Sequence, residues 1–497
     1  AVDWADVLKL SRYREAKPAV LEQNARDWIR KVRFEAPRGD SVYGFSKVGT
    51  DRDAIEFWYR QSSQPLKVDL PRPLSRSRGW SITPTNPLPL YPGMVGIRLD
   101  ARARFDSGGQ LLELLAIPEE DSQAETADAQ PNWPDLIEAT GHDPARFEPL
   151  PESAWPKDWR PPIDVDAVTV WSERQSDDPQ IILLASRDGK LVYFRRGADA
   201  SASFLRIPSA IGSKRFPSFA NLTYLMTLGF AGILVFHNLR LRRSDIRGAS
   251  RCALYYFAIE LLLWAAAVHH TAEPASELSI GIDYVLHALG TAFRLWLYYV
   301  ALEPYVRRLW PDLLISWSRV LDGRLSDPLV GRDLLVGCLA GAVFTLSNCW
   351  PVLIRYRIDP NTITNTSAAL ATIMQSHQTA LMFGLYWLAF FLILRVIFRN
   401  TFLASTMFTI GVVVMRIEPE WSWELIVPNV FWAALQAFLY VRFGLITVIA
   451  CWFTVLVLIR FPFTTDFAAW YAHSGNLALV AVLLVTAYGF FTSTLAG

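Results

Sequence analysis

The sequence predicts two parts of different class: an α+β extracytoplasmic domain over residues 1–215, then an all-α polytopic membrane bundle of about nine transmembrane helices over residues 216–497. Three observations carry this division. Apolar residues make up 52% of the 497 and charged residues 19%, with 19 Trp and 29 Phe, the balance of a membrane protein that carries a soluble part. Apolar runs of spanning length recur only after Phe216. The four cysteines, Cys252, Cys338, Cys349 and Cys451, all lie in or beside those runs, so the first part has no disulfide framework and no zinc-type CxxC spacing. A net charge of +1 says little about partners, because it averages over charges whose placement differs along the chain.

The chain opens on Ala1, with neither an initiator Met nor a basic-then-apolar leader, which suggests a start partway through the gene product or after processing. In the first part, Val20, Leu21, Ala25, Trp28, Ile29 and Val32 recur at helical spacing and predict a helix over residues 19–32. Extended stretches follow at residues 54–62 (AIEFWYRQS) and 93–105 (GMVGIRLDARARF), and a turn at Ser107, Gly108 and Gly109 leads into QLLELLAIP. The same order then returns. WPDLIEATGHDPARF predicts a short helix, AVTVWSERQ a strand, and PQIILLASRDGKLVYFRR a hairpin turning at Asp188 and Gly189. Two explanations fit: a duplicated helix-plus-strands unit, or two unrelated hairpins in one mixed domain. His142 reads as a loop or helix-cap residue, and Phe57, Trp58 and Tyr59 as core in preference to the wall of a ligand groove.

In the second part the apolar segments fall at residues 218–238, 252–268, 281–302, 333–350, 379–398, 402–416, 425–441, 443–460 and 476–495. Basic connections stay on the cytoplasmic side. The first holds Arg240, Arg242, Arg243, Arg247 and Arg251, while the next, HHTAEPASELSIG, holds no basic residue. The alternation continues to the end of the chain, with Arg355, Arg357, Arg416 and Arg460 as exceptions placed near helix ends, where they can snorkel. It predicts an extracytoplasmic N-terminal domain and a cytoplasmic C-terminus.

Few charges lie within the spans. Glu260 and Arg294 sit at about the same depth in the second and third segments, and a charge there is costly unless paired. An intramembrane ion pair is therefore expected, serving either helix packing alone or a proton or ion path. His269, His270, Asp283, His287, His377 and His473 all map to the outer side, with Asp283 and His287 one helical turn apart. They would form a metal or pH-sensing site if the helices bring them together; scattered interfacial histidines are the alternative, and whether a metal binds stays open.

The connection over residues 303–333 is the richest in arginine. Glu303 and Pro304 are expected to end the third span, and Arg307 and Arg308 to anchor it at the inner surface. Pro311 would open an interfacial helix with Leu314, Trp317, Val320 and Leu321 on one face and Arg319 elsewhere, lying along the membrane. Arg332 borders the next span. This segment is either a basic loop that sets topology or a coupling surface for a cytoplasmic partner.

The chain shows no HExxH, no GxSxG and no Gly-rich phosphate loop, and GRDLLVG lacks the HRD and DFG partners of a kinase catalytic loop. No catalytic residue and no cofactor is indicated. The segments ALEPYVRRLWPDLLISWSRVLDGRLSDPLVGRDLLVG, FWYRQS and GMVGIRLD resemble the C-terminal sensor and membrane region of a class of bacterial serine/threonine protein kinases. There a cytoplasmic kinase domain is followed by a membrane helix, an extracytoplasmic domain and a helical bundle. The resemblance covers most of the chain and weakens after about residue 400, and the kinase domain itself is absent, so no ATP-binding or catalytic residue carries over.

The resemblance implies a signal-transducing sensor in the bacterial inner membrane, with the lipid bilayer, an extracytoplasmic ligand and a kinase domain in cis or trans as partners and no nucleic acid. Whether a full-length parent is an enzyme stays open on the residues present. The alternatives are a transporter or channel-like protein in which Asn348, Gln375 and Gln436 line a path, and a membrane enzyme using the outer histidines.

Overall fold

The computed structural model of the chain describes residues 17–31, 40–47, 55–62, 101–106, 109–116, 131–155, 161, 163, 165–174, 179–197, 219–270, 272–347, 359–416 and 423–494. A sheet region is followed by a mostly helical region, as the composition predicts. Two compact units result: Ala1–Ser213 with His269–Ile280 and Thr464–Trp470, and Lys214–Val268 with Gly281–Phe463 and Tyr471–Gly497.

In the first unit, helix α1 (Pro18–Lys31) precedes strands β1 (Asp40–Lys47), β2 (Ile55–Ser62), β3 (Ala101–Phe105) and β4 (Leu111–Ala116). Helix α2 (Trp133–Ala139) then precedes β5 (Phe147–Pro149), β6 (Ala167–Glu173), β7 (Ile181–Arg187) and β8 (Lys190–Gly197). Among the described residues these strands form one antiparallel sheet in the order β1-β2-β3-β4-β8-β7-β6-β5. Helix followed by four strands thus occurs twice. The last strands of the two halves pair with each other, Leu114 opposite Phe194, so a local two-fold runs between β4 and β8. The helices pack on their own halves, α1 against β2 and β3 and α2 against β7, through Leu21, Ala25 and Ile29 on one side and Ile137 on the other.

Local chemistry sets the turns. Asp188 and Gly189 take φ of 52° and 71°, the paired left-handed conformation that matches a two-residue hairpin to strand twist. Phe57, Trp58 and Tyr59 are buried, as their reading as core requires. Strand β1, which no sequence pattern marked, needs Gly44: a Cβ there would lie 2.7 Å from the Trp58 ring. The part of the expected 93–105 strand before Ala101 lies outside the described residues.

A helix lies in each of the nine expected apolar segments, whose residues 218, 348–350 and 495 lie outside the described residues: α3 (Phe219–Arg240), α4 (Ile246–Ala267), α5 (Pro274–Leu309), α7 (Pro328–Ser347), α8 (Thr366–Phe398), α9 (Thr401–Arg416), α10 (Trp423–Arg442), α11 (Leu445–Arg460) and α12 (Ala472–Thr494). The short α6 (Ile315–Leu321) lies between α5 and α7. Five of them, α4, α5, α7, α8 and α12, are long and apolar enough among the described residues to cross a membrane by length and composition, while α9, α10 and α11 are apolar but shorter. The expected nine spans therefore reduce to five helices that meet the requirement.

Helix α11 is the centre of the second unit. Every residue from Leu445 to Val457 is buried, enclosed by α7, α8, α10 and α12. Close approach of α7 depends on glycine: a Cβ on Gly337 would lie 2.5 Å from the Thr447 carbonyl oxygen, and one on Gly341 2.7 Å from that of Cys451. Small residues let helix backbones meet where lipid gives no hydrophobic drive to associate.

Helix α5 corrects an expectation. It does not end at Glu303 and Pro304 but continues through Pro304 to Leu309. Proline lacks the N–H that would bond the Val300 carbonyl one turn back. Asn238 of α3 supplies the missing donor: its Nδ2 donates to Val300 O and Ala301 O, both at 3.1 Å, and Ser244 Oγ donates to Val300 O at 3.4 Å.

Candidate functional site

The α5–α7 connection is built into the protein. Pro311–Leu314 forms a 3-10 turn and Ile315–Leu321 the short α6. The expected interfacial helix would present Leu314 and Trp317 to lipid. Instead they are 4% and 5% exposed and belong to the main hydrophobic core, with Trp317 against the Tyr299 ring at 6.3 Å. Two features hold the segment inward. Gly444, at φ 109°, leaves room for Leu313, whose carbonyl oxygen would lie 2.5 Å from a Cβ there. Ser316 Oγ donates to Asp333, which is 1% exposed and also takes Arg332 Nη2 at 2.8 Å.

The arginines of this connection are largely committed. Arg307 pairs with buried Glu303, whose carboxylate also accepts from the Asp245 amide at 3.3 Å. Arg319 pairs with Asp327. Slight desolvation would raise the Asp327 pKa, but hydrogen bonds from Arg319 and the Leu329 amide outweigh it and hold the carboxyl below its ordinary value. From α4, Arg251 Nη1 donates to Leu321 O at 3.0 Å, and Arg395 of α8 lies over the Trp310 ring at 5.7 Å. Arg308 and Arg324 remain exposed. This chemistry suits a docked, internally paired segment with a cationic rim.

The intramembrane charges share the α4–α5 seam without pairing. Glu260 is 7% exposed, with its Oε1 3.4 Å from Thr291 Oγ1, whereas Arg294 Nη1 donates to Tyr224 OH on α3 at 3.2 Å. No ion pair joins Glu260 to Arg294 among the described residues.

The histidines expected on the outer side are dispersed. His269 Nε2 lies 2.6 Å from Asp40 Oδ1 at the start of β1, and His270 Nδ1 lies 2.7 Å from Glu277 Oε1, all within the first unit. In the second unit His287 packs its ring against Tyr284 at 6.4 Å, with Asp283 exposed, and His377 Nε2 lies 2.9 Å from Tyr255 OH. Among the described residues no three of His, Cys, Asp and Glu converge to hold a metal ion. Comparison with family models, curated proteins and solved structures finds no match.

Sequence reasoning missed two features of the first unit. Arg104 on β3 bonds Glu56 through Nε at 3.1 Å and Glu113 through Nη1 at 3.0 Å, while Tyr193 OH donates to Glu113 at 3.2 Å. Burial alone would lower the Arg104 pKa, yet the two carboxylates raise it above its ordinary value. This array crosses β2, β3, β4 and β8 and borders a small cleft lined by Arg104, Leu112, Glu113, Arg195 and Arg196. The alternation Arg102, Arg104 in a strand was its sequence signal.

The second feature is that the α4–α5 and α11–α12 connections fold with the sheet. Besides the His269 contact with Asp40, Trp470 stacks on Phe45 of β1 at 5.9 Å. Nothing local in the sequence joins residues so far apart.

Proposed function

We propose that this chain is the membrane-embedded sensor region of a bacterial serine/threonine kinase-like receptor. The sheet unit receives an extracytoplasmic signal and the helices pass it to the cytoplasmic side of the inner membrane. The observation that carries the reading is the anchorage of β1 to two helix connections, through Asp40 with His269 and Phe45 with Trp470. A strain arising in the sheet thereby has a covalent route into α4, α5, α11 and α12. The segment resemblance supports the kinase association, and the arginine distribution supports the orientation.

The α5–α7 connection is the output side of this reading, where Arg308 and Arg324 present exposed cations to a kinase domain in cis or trans. The test uses the full chain in lipid bilayers. Asp40→Ala combined with Trp470→Ala should change the amide exchange protection of residues 310–327 several-fold while the sheet stays folded. Unchanged protection there would reject transmission.

Transport is a second reading, and one observation favours it. Gln436 is 1% exposed, and among the described residues its Oε1 and that of Gln375 have no hydrogen-bond partner; Asn348 lies outside the described residues. Solute flux into proteoliposomes that is lost in Gln436→Leu would establish it.

A further inference from the structure

Glu260 has less support than a buried carboxylate requires. An ionised carboxylate taken out of water needs a cation or several donors around it, or it recovers its proton. The groups that face it can be named. On its own helix α4 there is Tyr256; on α5 there are Tyr284, Thr291 and Arg294; on α8 there is Gln378. Arg294, the only cation in this set, donates to Tyr224, and no ion pair joins it to Glu260 among the described residues. The Gln378 amide nitrogen donates to Tyr256 O at 3.5 Å, and the Gln378 side chain also bonds the Glu260 carboxyl.

The second partner is Thr291, which has one hydroxyl proton and three acceptors within reach. The backbone oxygens of Ala288 and His287 lie at 3.0 and 3.1 Å, and Glu260 Oε1 at 3.4 Å. A threonine in a helix gives its proton to the carbonyl three or four residues back, so Thr291 has lone pairs, not a proton, to offer the carboxyl. The distances fit an acid that donates to Thr291 Oγ1 better than an anion that accepts from it.

We propose that Glu260 is a proton-binding site within the membrane-spanning bundle, holding its proton at neutral pH and donating it in a hydrogen bond to Thr291. The proton is the ligand. This stands apart from the sensor reading, since it requires neither a kinase nor an extracytoplasmic signal.

Infrared spectroscopy of the full chain in lipid bilayers tests it. At neutral pH the protein should show the carbonyl stretching band of a protonated carboxylic acid, moved down by deuterium exchange, and Glu260→Gln should lose one carboxyl's share of it. Thr291→Val, which removes the acceptor, should move the same band to higher frequency. Superimposable spectra of the wild type and Glu260→Gln overturn the proposal. Should Glu260→Gln fail to fold, a Thr291→Val spectrum with no shifted band overturns it equally.

Discussion

His142 shows how a residue's surroundings decide its role where its type does not. Its ring lies 5.6 Å from Phe194 and 5.8 Å from Phe147, and Nδ1 is 3.0 Å from Thr140 Oγ1. Burial, and secondarily the Arg196 charge, lower its pKa below 6.5, against weaker opposing effects of Thr140 and Glu173. The folded protein therefore binds fewer protons at this site than the unfolded chain does. Stability contributed by neutral His142 is fully present above about pH 6.5 and is lost as pH falls below it. Thermal unfolding of the sheet signal, followed from pH 7.5 to 5, should show this loss, and His142→Gln should flatten it; an equal slope in the variant would reject the assignment. The sequence was legible here as far as placing His142 in the loop beside a helix cap. The aromatic partners, one of them 52 positions away on β8, were not.

Helix α5 makes the corresponding point for an element. Local rules end a helix before an internal proline, and for a helix alone in water they would be right. The outcome reverses because Asn238 answers the carbonyl that Pro304 leaves unbonded, a partner 66 positions upstream that no periodicity could reveal. Asn238→Leu should destabilise the protein by about 1–3 kcal/mol, the penalty of an unsatisfied buried polar group. In a Pro304→Ala background, which restores the backbone donor, the same substitution should cost less. Additive losses in the double-mutant cycle, read by thermal unfolding in detergent, would refute the compensation. Helix α6 failed for a related reason. The spacing of Leu314 and Trp317 marks an apolar face, but lipid and protein core demand the same pattern, so the sequence cannot say which one that face meets.

For the whole molecule, the division into a sheet region and a helical region was legible from composition, and the positions of the helices from hydropathy. Which helix occupies the interior was not, because α11 and its neighbours are all apolar. Glycine placement decides it. Gly337→Ala should lower thermal stability by about 1–3 kcal/mol, since its Cβ would overlap Thr447 O and Ala450. Gly290→Ala, with nothing within 4 Å, should be neutral or better, and equal effects of the two would show that the α7–α11 contact yields. The continuity of α5 through Pro304 has a mechanical result. Thirty-six residues without a break make a rod about 54 Å long, well beyond the roughly 30 Å of a hydrocarbon core. A rod pivoting at its middle by about 5° swings each tip by roughly 2 Å in opposite senses, so a small tilt of α5 reaches its Glu303 turn as a sideways step that lengthens the 3.3 Å contact of that carboxylate with the Asp245 amide.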